Sequence, residues 1–465
     1  MIEVLPDVAT RGRAYLETLA GRRVAVVGLA RSGVAAARLL QKIGARVVVT
    51  DTKPLDALGR EAQALPGLGV SVVTGEPRAA LAGVDLVVIS PGVPIDSPSL
   101  EAVRAAGTPV IGELELGWRA MEADTIAITG TNGKTTTTAL TGALLGEQPR
   151  PVLVAGNIGT PLAAHALEFA ADGVVVAEVS SFQLETIETF QPRVAAVLNV
   201  TPDHLDRHGS FEAYLAAKCR IFVNQTASDC AVLNADDPVT RSVAGRTRAH
   251  IVWFSRRELL EYGVFVREGW VVAKLNGHVE EICPLTEIGL RGQHNVENVL
   301  AATACALWTG IAPEAIRRAV GRFRAVAHRI EFLRDLRGVH YYNDSKGTNV
   351  ASTVKALESF NERIVLIAGG VGKGQDFGPL AEAAHHRVGH AVVIGTDGPR
   401  IAMALHAVGI PTTPAGSFRA AVEAAGRVAE PGDVVLLSPA CASFDMFDNY
   451  EHRGEVFRKL VEELA

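Results

Sequence analysis

The chain has 465 residues, enough for two to four domains of ordinary size. With 48% hydrophobic and 21% charged residues it can bury several cores, which excludes a disordered tail. Its 51 acidic residues outnumber 45 basic ones, and the net charge of −6 excludes a protein that coats nucleic acid, although a local cluster of cations and backbone N–H groups can still hold a phosphate.

In chain order, β-branched runs at residues 23–28, 46–51, 70–74 and 84–90 read as buried parallel strands, with helices expected at 32–43, 55–65 and 97–106. The pattern restarts at 125–129, feeds a glycine-rich turn and a Thr/Ala/Leu helix, and continues as strands at 152–155, 174–179, 194–200 and 231–234. Residues 262–281 alternate apolar and polar around Arg267-Glu268-Gly269 and Asn276-Gly277, the pattern of added antiparallel hairpins. A third restart near Val339 gives strands at 340–343, 363–368, 391–394 and 433–437. Only 5% aromatics beside 45 glycines favour α/β units with tight strand–helix turns over an all-β sandwich. The expectation is α/β, in three domains with boundaries near Gly112 and Arg324, each sheet presenting loops at its strand C-termini.

The five cysteines, Cys219, Cys230, Cys283, Cys305 and Cys441, are odd in number and lack C-x-x-C spacing, so reduced core thiols are expected rather than disulfides or a zinc knuckle. The first 13 residues carry acids and a proline where a secretory signal needs a basic start and an apolar stretch. No apolar run approaches the roughly 20 residues that span a bilayer. A soluble, cytoplasmic protein without a membrane partner is expected.

The strongest local signal is Gly130-Thr131-Asn132-Gly133-Lys134-Thr135-Thr136, directly after a strand and opening a helix. Glycines let backbone N–H groups turn toward an anion, the helix N-terminus adds positive charge, and Lys134 supplies a mobile cation. Thr135 can offer its hydroxyl to a phosphate-bound Mg²⁺. The spacing is G-x-x-G-K-T, shorter than the common G-x-x-x-x-G-K-[ST], because Ile128 stands where that motif has its first glycine. Nucleotide phosphate binding is favoured over a turn with a surface lysine. A second signal, Gly28-Leu29-Ala30-Arg31-Ser32-Gly33 with Asp51 ending the next strand, is similar to a dinucleotide fingerprint whose middle glycine is Ala30. That methyl obstructs close approach of a pyrophosphate. Arg31, Lys53 and the Ser90-Pro91-Gly92 turn can still make an anion and ribose site; a purely structural turn is the competing reading.

Further motifs follow in order: Gly156-Asn157-Ile158-Gly159, Glu178-Val179-Ser180-Ser181-Phe182-Gln183-Leu184, Asn199-Val200-Thr201-Pro202-Asp203-His204-Leu205-Asp206 and Tyr214-x-x-x-Lys218. They continue as His294-Asn295-x-x-Asn298, His328-Arg329, Asn343-Asp344-Ser345-Lys346-Gly347-Thr348-Asn349 and Ser438-Pro439-Ala440-Cys441-Ala442-Ser443-Phe444-Asp445. This ordered set spans essentially the whole chain and resembles the ATP-dependent Mur ligases of peptidoglycan synthesis. The 28–33 fingerprint, the Ser-Lys-Gly-Thr-Asn form and the C-terminal motif resemble their D-glutamate-adding branch.

The resemblance implies a Rossmann-like UDP-substrate domain (1–112), a central P-loop-type ATPase domain with a parallel sheet and extra antiparallel strands (113–324), and a Rossmann-like amino-acid domain (325–465). It implies that ATP phosphorylates the terminal carboxylate of UDP-N-acetylmuramoyl-L-alanine, that D-glutamate's amine attacks the acyl phosphate, and that phosphate leaves. It further implies a monomer acting on small molecules in the cytoplasm, with ATP, two Mg²⁺ ions and a carbamylated lysine, and no nucleic-acid or membrane partner.

By the same resemblance, the 130–136 loop, Asn295, Arg329 and Asp344 bind ATP. Thr135, Glu178, His204 and Lys218 serve the metals, and Lys134, Glu178, His204, Lys218 and Arg329 form the catalytic set. Arg31, Ser32, Thr52, Lys53, Gly92 and Asn157 match UDP-substrate positions; Arg31 stands where relatives carry an aliphatic residue. Lys346, Thr348, Lys373, Ser443 and Phe444 match D-glutamate positions, cations and hydroxyls suited to a dicarboxylate. Tyr450 replaces a Phe nearby, its hydroxyl adding a polar contact or facing water. Residue type alone leaves two alternatives open: a buried salt bridge for Glu178, and for Lys218 a helical lysine whose stem packs while its ammonium reaches water. Competing overall readings are another amide ligase such as a folylpolyglutamate synthase, an NAD-dependent dehydrogenase built on the 28–33 loop and Asp51, and a non-catalytic nucleotide-binding regulator.

Overall fold

Each of the three β-branched stretches closes into its own sheet in the computed structural model, which describes residues 10–75, 77–275, 277–324, 326–372 and 374–464. The start of the N-terminal stretch (1–9), the turn position Asn276 and the candidate ligand Lys373 lie outside these. The first sheet is wholly parallel, in the order Ser71–Val72, Arg46–Thr50, Arg23–Val27, Leu86–Ile89, Val110–Gly112. Val24, Ala25 and Val26 of its central strand are fully buried, as a sheet covered on both faces requires. The helix Arg31–Lys42 provides one cover through Val34, Ala36, Ala37, Leu39 and Leu40. Residues 55–65 do not form the single helix expected. A 3₁₀ turn Leu55–Ala57 and one turn Arg60–Gln63 replace it, because Leu58 and Gly59 between them are extended, with ψ of 165° and 154°.

The second sheet has nine strands among the described residues. Their order is Val279–Pro284, Trp270–Lys274, Gly263–Arg267, His250–Ser255, Cys230–Asn234, Val194–Val197, Asp124–Thr129, Val174–Glu178, Val152–Gly156. Pairing is parallel from Val152–Gly156 through Gly263–Arg267, and the last two strands are antiparallel. The two-residue turn Glu268-Gly269 has φ of 51° and 79°, the doubly positive geometry that matches the strand twist of a tight hairpin. The third sheet runs Glu331–Leu336, Val339–Asn343, Val434–Leu437, Ile364–Gly369, Val388–Ile394, Thr412–Pro414, with only the first pair antiparallel.

By contact density the chain divides into Met1–Pro284 with Asn298–Val320, and Leu285–Glu297 with Gly321–Ala465. The first unit holds two sheets because one apolar cluster runs through both, from Leu19, Val24 and Val49 past Leu114 and Trp118 to Val175, Val197 and Leu233. All five cysteines are free thiols, Cys219 half-buried and the others buried. No helix among the described residues is long and apolar enough to cross a membrane.

Candidate active site

The strand Asp124–Thr129 ends in fully buried Thr129, and the chain turns through 130–133 into the helix Lys134–Leu145. Gly133 makes the turn possible. Its φ is 85°, and a Cβ there would run into Asn298 Oδ1, the oxygen that accepts Thr137 Oγ1 at 3.1 Å. Asn199 braces the loop from the neighbouring strand's end. Its carbonyl accepts Thr131 N (2.9 Å), its Oδ1 accepts Asn132 N (2.9 Å) and its Nδ2 donates to Asn132 O (3.1 Å). Thr131 Oγ1 donates to Thr201 O at 3.1 Å, so across the 3.1 Å to Tyr214 the phenol is the donor. Lys134 folds onto this loop, its Nζ donating to Gly130 O (2.9 Å) and Thr131 O (2.8 Å). A rigid loop, a helix N-terminus and a half-buried cation make an anion cradle.

Glu178 closes the next strand and is 1% exposed. Its Oε2 accepts Thr135 Oγ1 and its Oε1 accepts Asn157 Nδ2, both at 2.7 Å. Asn157 N also donates to Glu178 O at 2.8 Å, fixing the turn whose Gly159 carbonyl accepts Arg31 Nη1 at 3.2 Å. One chain of contacts therefore joins the phosphate loop to the first sheet. Among the described residues no group of three His, Cys, Asp or Glu side chains is poised for a metal. The Thr135 hydroxyl and Glu178 carboxylate are hard oxygen donors, which fit Mg²⁺, an ion that takes few protein ligands and completes its shell with phosphate and water.

At the first sheet's C-terminal edge a cavity of about 480 Å³ is lined by Arg31, Ser32, Thr52 and Gly92 together with Thr50 and Ser90; Lys53 is not in its lining. Asp51 Oδ2 accepts Leu29 N (2.7 Å) and its Oδ1 accepts Lys53 N (2.9 Å), while Ser90 Oγ donates to Gly28 O at 2.8 Å. A Cβ on Gly33 would collide with that same Gly28 carbonyl. Both Asp51 oxygens thus staple backbone. Asp51 shapes its own loop, at the place where a dinucleotide dehydrogenase turns its acid to the ribose.

Lys218 does not reach water. It is 2% exposed, its Nζ donating to Gly130 O at 2.8 Å, 3.5 Å from Thr129 Oγ1 and 4.6 Å above the Tyr214 ring. Burial first, then the Lys134 charge, holds its pKa well below the usual lysine range, against the opposing pull of Asp203 and Glu178. His204 caps the short helix Leu205–His208 with a φ of 52°, a left-handed conformation uncommon for a non-glycine residue. Its backbone N–H is accepted by Asp203 Oδ1 at 2.9 Å, and its ring meets Phe182 edge-on at 5.0 Å and lies 6.5 Å from Tyr214. His204 and Lys218 therefore both border Tyr214.

In the second unit, Asp344 follows the strand Val339–Asn343. Its Oδ2 accepts Ser438 Oγ at 2.7 Å and its Oδ1 accepts Ile330 N at 3.3 Å. Burial pushes its carboxyl up to about 7, with the Ser438 bond and the Arg329 charge opposing. Asn295 Nδ2 donates to Arg291 O at 2.6 Å. Lys346 Nζ lies 4.9 Å over the Tyr450 ring, and Thr348 N donates to Lys346 O at 2.8 Å. Ser443 is buried, whereas the next residue, Phe444, is 74% exposed.

Two residues outside the expected set hold these loops. Asn199 sits in a motif quoted above, so its signal was present without a role. Arg453, 1% exposed, donates to Ser345 Oγ (3.0 Å), Ser345 O (2.7 Å) and Cys441 O (3.1 Å), tying together the turns that carry Lys346 and Ser443. Nothing in Glu451-His452-Arg453-Gly454-Glu455 distinguishes it from a surface helix arginine.

Comparison with known proteins agrees with this geometry. Residues 22–112 match the Mur ligase MurD-like N-terminal domain, 128–306 the Mur ligase middle domain, and 328–441 the Mur ligase glutamate ligase domain. The UDP-N-acetylmuramoylalanine–D-glutamate ligase of Acidobacterium capsulatum is 49% identical over 95% of this chain and 96% of its own. Those of Koribacter versatilis and Pelotomaculum thermopropionicum are 48% and 49% identical, each over 96% of this chain and 98% of the relative. The crystal structure of the UDP-N-acetylmuramate-alanine ligase MurC of Thermotoga maritima covers 95% of this chain and 99% of its own, with a TM-score of 0.60 at 22% identity. A pseudomurein peptide ligase type C from Methanothermus fervidus superposes with a TM-score of 0.61 at 19% identity, over 96% and 100%. These two show the shared fold. From its N-terminal sheet to its C-terminal one, the chain belongs to the Mur ligase family.

Proposed function

We propose that this ligase adds D-glutamate to UDP-N-acetylmuramoyl-L-alanine through an acyl phosphate, at the expense of ATP. The relatives that carry this activity in their names, at 48–49% identity over nearly the full length, support it. The observation that carries it is the continuous path Thr135–Glu178–Asn157–Gly159–Arg31, which joins a phosphate cradle to a first-domain cavity of nucleotide size. In the reading, residues 1–112 hold the UDP group through Arg31, Ser32, Thr52, Lys53 and Gly92. Residues 113–324 hold the triphosphate, and residues 325–465 supply Arg329 and Asp344 to the nucleotide and Lys346, Thr348, Lys373, Ser443 and Phe444 to D-glutamate. Asn295 joins the nucleotide contacts. The protein acts as a cytoplasmic monomer on small molecules only.

Phosphoryl transfer needs charge neutralisation and in-line positioning more than covalent help. Lys134 and the N-terminus of its helix stabilise charge on the β- and γ-phosphates. Thr135 and Glu178 would hold one Mg²⁺, and His204 with Lys218 a second. When bound, the ions would supply charge neutralisation to the phosphates and to the reacting carboxylate. Lys218 serves as a carbamate: its neutral amine bonds to the carbon of CO₂ and releases one proton, which turns a buried cation site into an anion with two oxygen donors. Burial, and then the neighbouring charge of Lys134, favour the neutral amine that this step needs. D-glutamate's amine then attacks the acyl carbon, phosphate leaves with the bonding pair, and the amide nitrogen loses a proton.

A heavy-oxygen label in the terminal carboxylate of the UDP-substrate tests the pathway. Acyl-phosphate chemistry moves one labelled oxygen into the released phosphate. Unlabelled phosphate alongside labelled amide would refute it.

A further inference from the structure

The N-terminal edge of the central sheet carries a polar hollow that the ligase reaction does not use. A cavity of about 510 Å³ opens there, within the range of about 300–1,000 Å³ usual for small-molecule sites. Four neighbouring strands feed it just where they begin. Asp124 starts Asp124–Thr129, Arg193 directly precedes Val194–Val197, Asp229 directly precedes Cys230–Asn234, and Arg248 stands two residues before His250–Ser255. The phosphate loop follows the opposite end of Asp124–Thr129, about 17–20 Å away for a strand of that length.

The charges around this hollow do not cancel. Asp124 is paired with Arg150 at 2.9 Å. Asp229 is 3% exposed, and its Oδ2 already accepts Gln191 Nε2 (2.8 Å), Thr226 N (2.8 Å) and Thr226 Oγ1 (3.0 Å). Arg11 is anchored, donating to Ala123 O at 2.9 Å and lying 4.2 Å over the Trp118 ring, with its charge still at the rim. Arg193 and Arg248 are exposed, and their guanidinium groups have no ion pair or hydrogen bond to any described residue. Their strands are two places apart in the sheet, roughly 10 Å at the usual strand spacing. Two arginine side chains across such a gap are spaced to grip a ligand between them, and paired guanidinium forks match phosphate oxygens bidentately.

We propose that this hollow is a second anion site, remote from the phosphate loop, which takes a phosphate-bearing small molecule between Arg193 and Arg248 with Arg11 at its side. The inference does not rest on the ligase reading. The test is calorimetric titration of the full chain with pyrophosphate, comparing wild type, Lys134→Ala, and the double variant Arg193→Ala/Arg248→Ala. The Lys134→Ala protein is expected to keep a pyrophosphate-binding event that the double arginine variant loses or weakens at least tenfold. Both arginines are exposed, so the double variant should fold, and its retained binding at the phosphate loop is the internal control. Arg193→Lys/Arg248→Lys, which keeps the charge and loses the forks, should bind less tightly than wild type. The proposal is overturned if Lys134→Ala binds no pyrophosphate, or if the binding it keeps is unaffected by replacing the two arginines.

Discussion

Replacing Lys134 by alanine separates the catalytic from the structural share of the phosphate loop. In the folded protein Nζ makes two bonds to its own loop, at 2.9 Å to Gly130 O and 2.8 Å to Thr131 O. Bonds to a charged group contribute about 1.5–3 kcal/mol each in favourable settings, and this side chain is only half-buried. Alanine at the first position of a helix recovers part of the loss through propensity. The stability cost should therefore be no more than about 2 kcal/mol, and the cradle would persist because Asn199 holds it independently. Loss of one preorganised charge-stabilising donor costs about 10²–10³ in kcat, or 2.7–4 kcal/mol of barrier. Phosphate release at saturating substrates should fall by that factor while the melting midpoint drops only a few degrees. A kcat within threefold of wild type, in a folded variant, would refute the role of Lys134. A collapse of the melting transition would refute the view that Asn199 holds the loop.

Three further perturbations follow. Gly133→Ala forces a Cβ toward Asn298 Oδ1 at a φ of 85°, so it should cost at least about 1–2 kcal/mol and weaken ATP binding, whereas Gly146→Ala at the far end of the same helix should do neither; equal nucleotide affinity in both would count against the strained turn. Lys218→Met removes a buried amine and should leave the fold as stable or more so while abolishing turnover, and Lys218→Ala should regain activity with formate; an active Lys218→Met enzyme would remove this lysine from the mechanism. Glu113 is fully buried with its Oε1 on Ala163 N and no hydrogen-bond partner for Oε2 among the described residues, and burial pushes its carboxyl up to about 7. The native state thus keeps a proton that the unfolded chain loses near pH 4, so the contribution of Glu113 to stability falls as pH rises from about 4 to about 7 and is level outside that window. Glu113→Gln should match wild type near pH 4 and exceed it at pH 8 by up to about 3 kcal/mol in urea unfolding; parallel pH profiles would show that this carboxyl is not the cause.

The phosphate loop was legible because its chemistry is local: Gly133, Lys134 and Thr135 must follow a strand and open a helix, and all the signals lie within a few residues. Lys218 was legible only through the family resemblance, since by residue type it reads as a helical lysine whose ammonium reaches water, and burial of the amine depends on the Gly130 carbonyl closing over it from the phosphate loop, with Tyr214 of its own helix alongside. Asp51 has the residue type and place of a ribose ligand, yet its use is decided by where Leu29 N and Lys53 N point, which spacing does not encode. The strand Glu331–Leu336 is not legible because it mixes polar and apolar residues without clean alternation, as a half-exposed edge strand can. Residues 55–65 have helical composition, but tertiary placement of Leu58 and Gly59 in extended geometry overrides it.

The central claim is that this chain couples ATP to the joining of two particular small molecules. Phosphate release from ATP, measured with UDP-N-acetylmuramoyl-L-alanine and one of D-glutamate, L-glutamate, D-aspartate or L-alanine, tests it most directly. Release should require both the UDP-substrate and D-glutamate, with the other amino acids far poorer. Release that is indifferent to the amino acid, or that proceeds without the UDP-substrate, would contradict the account.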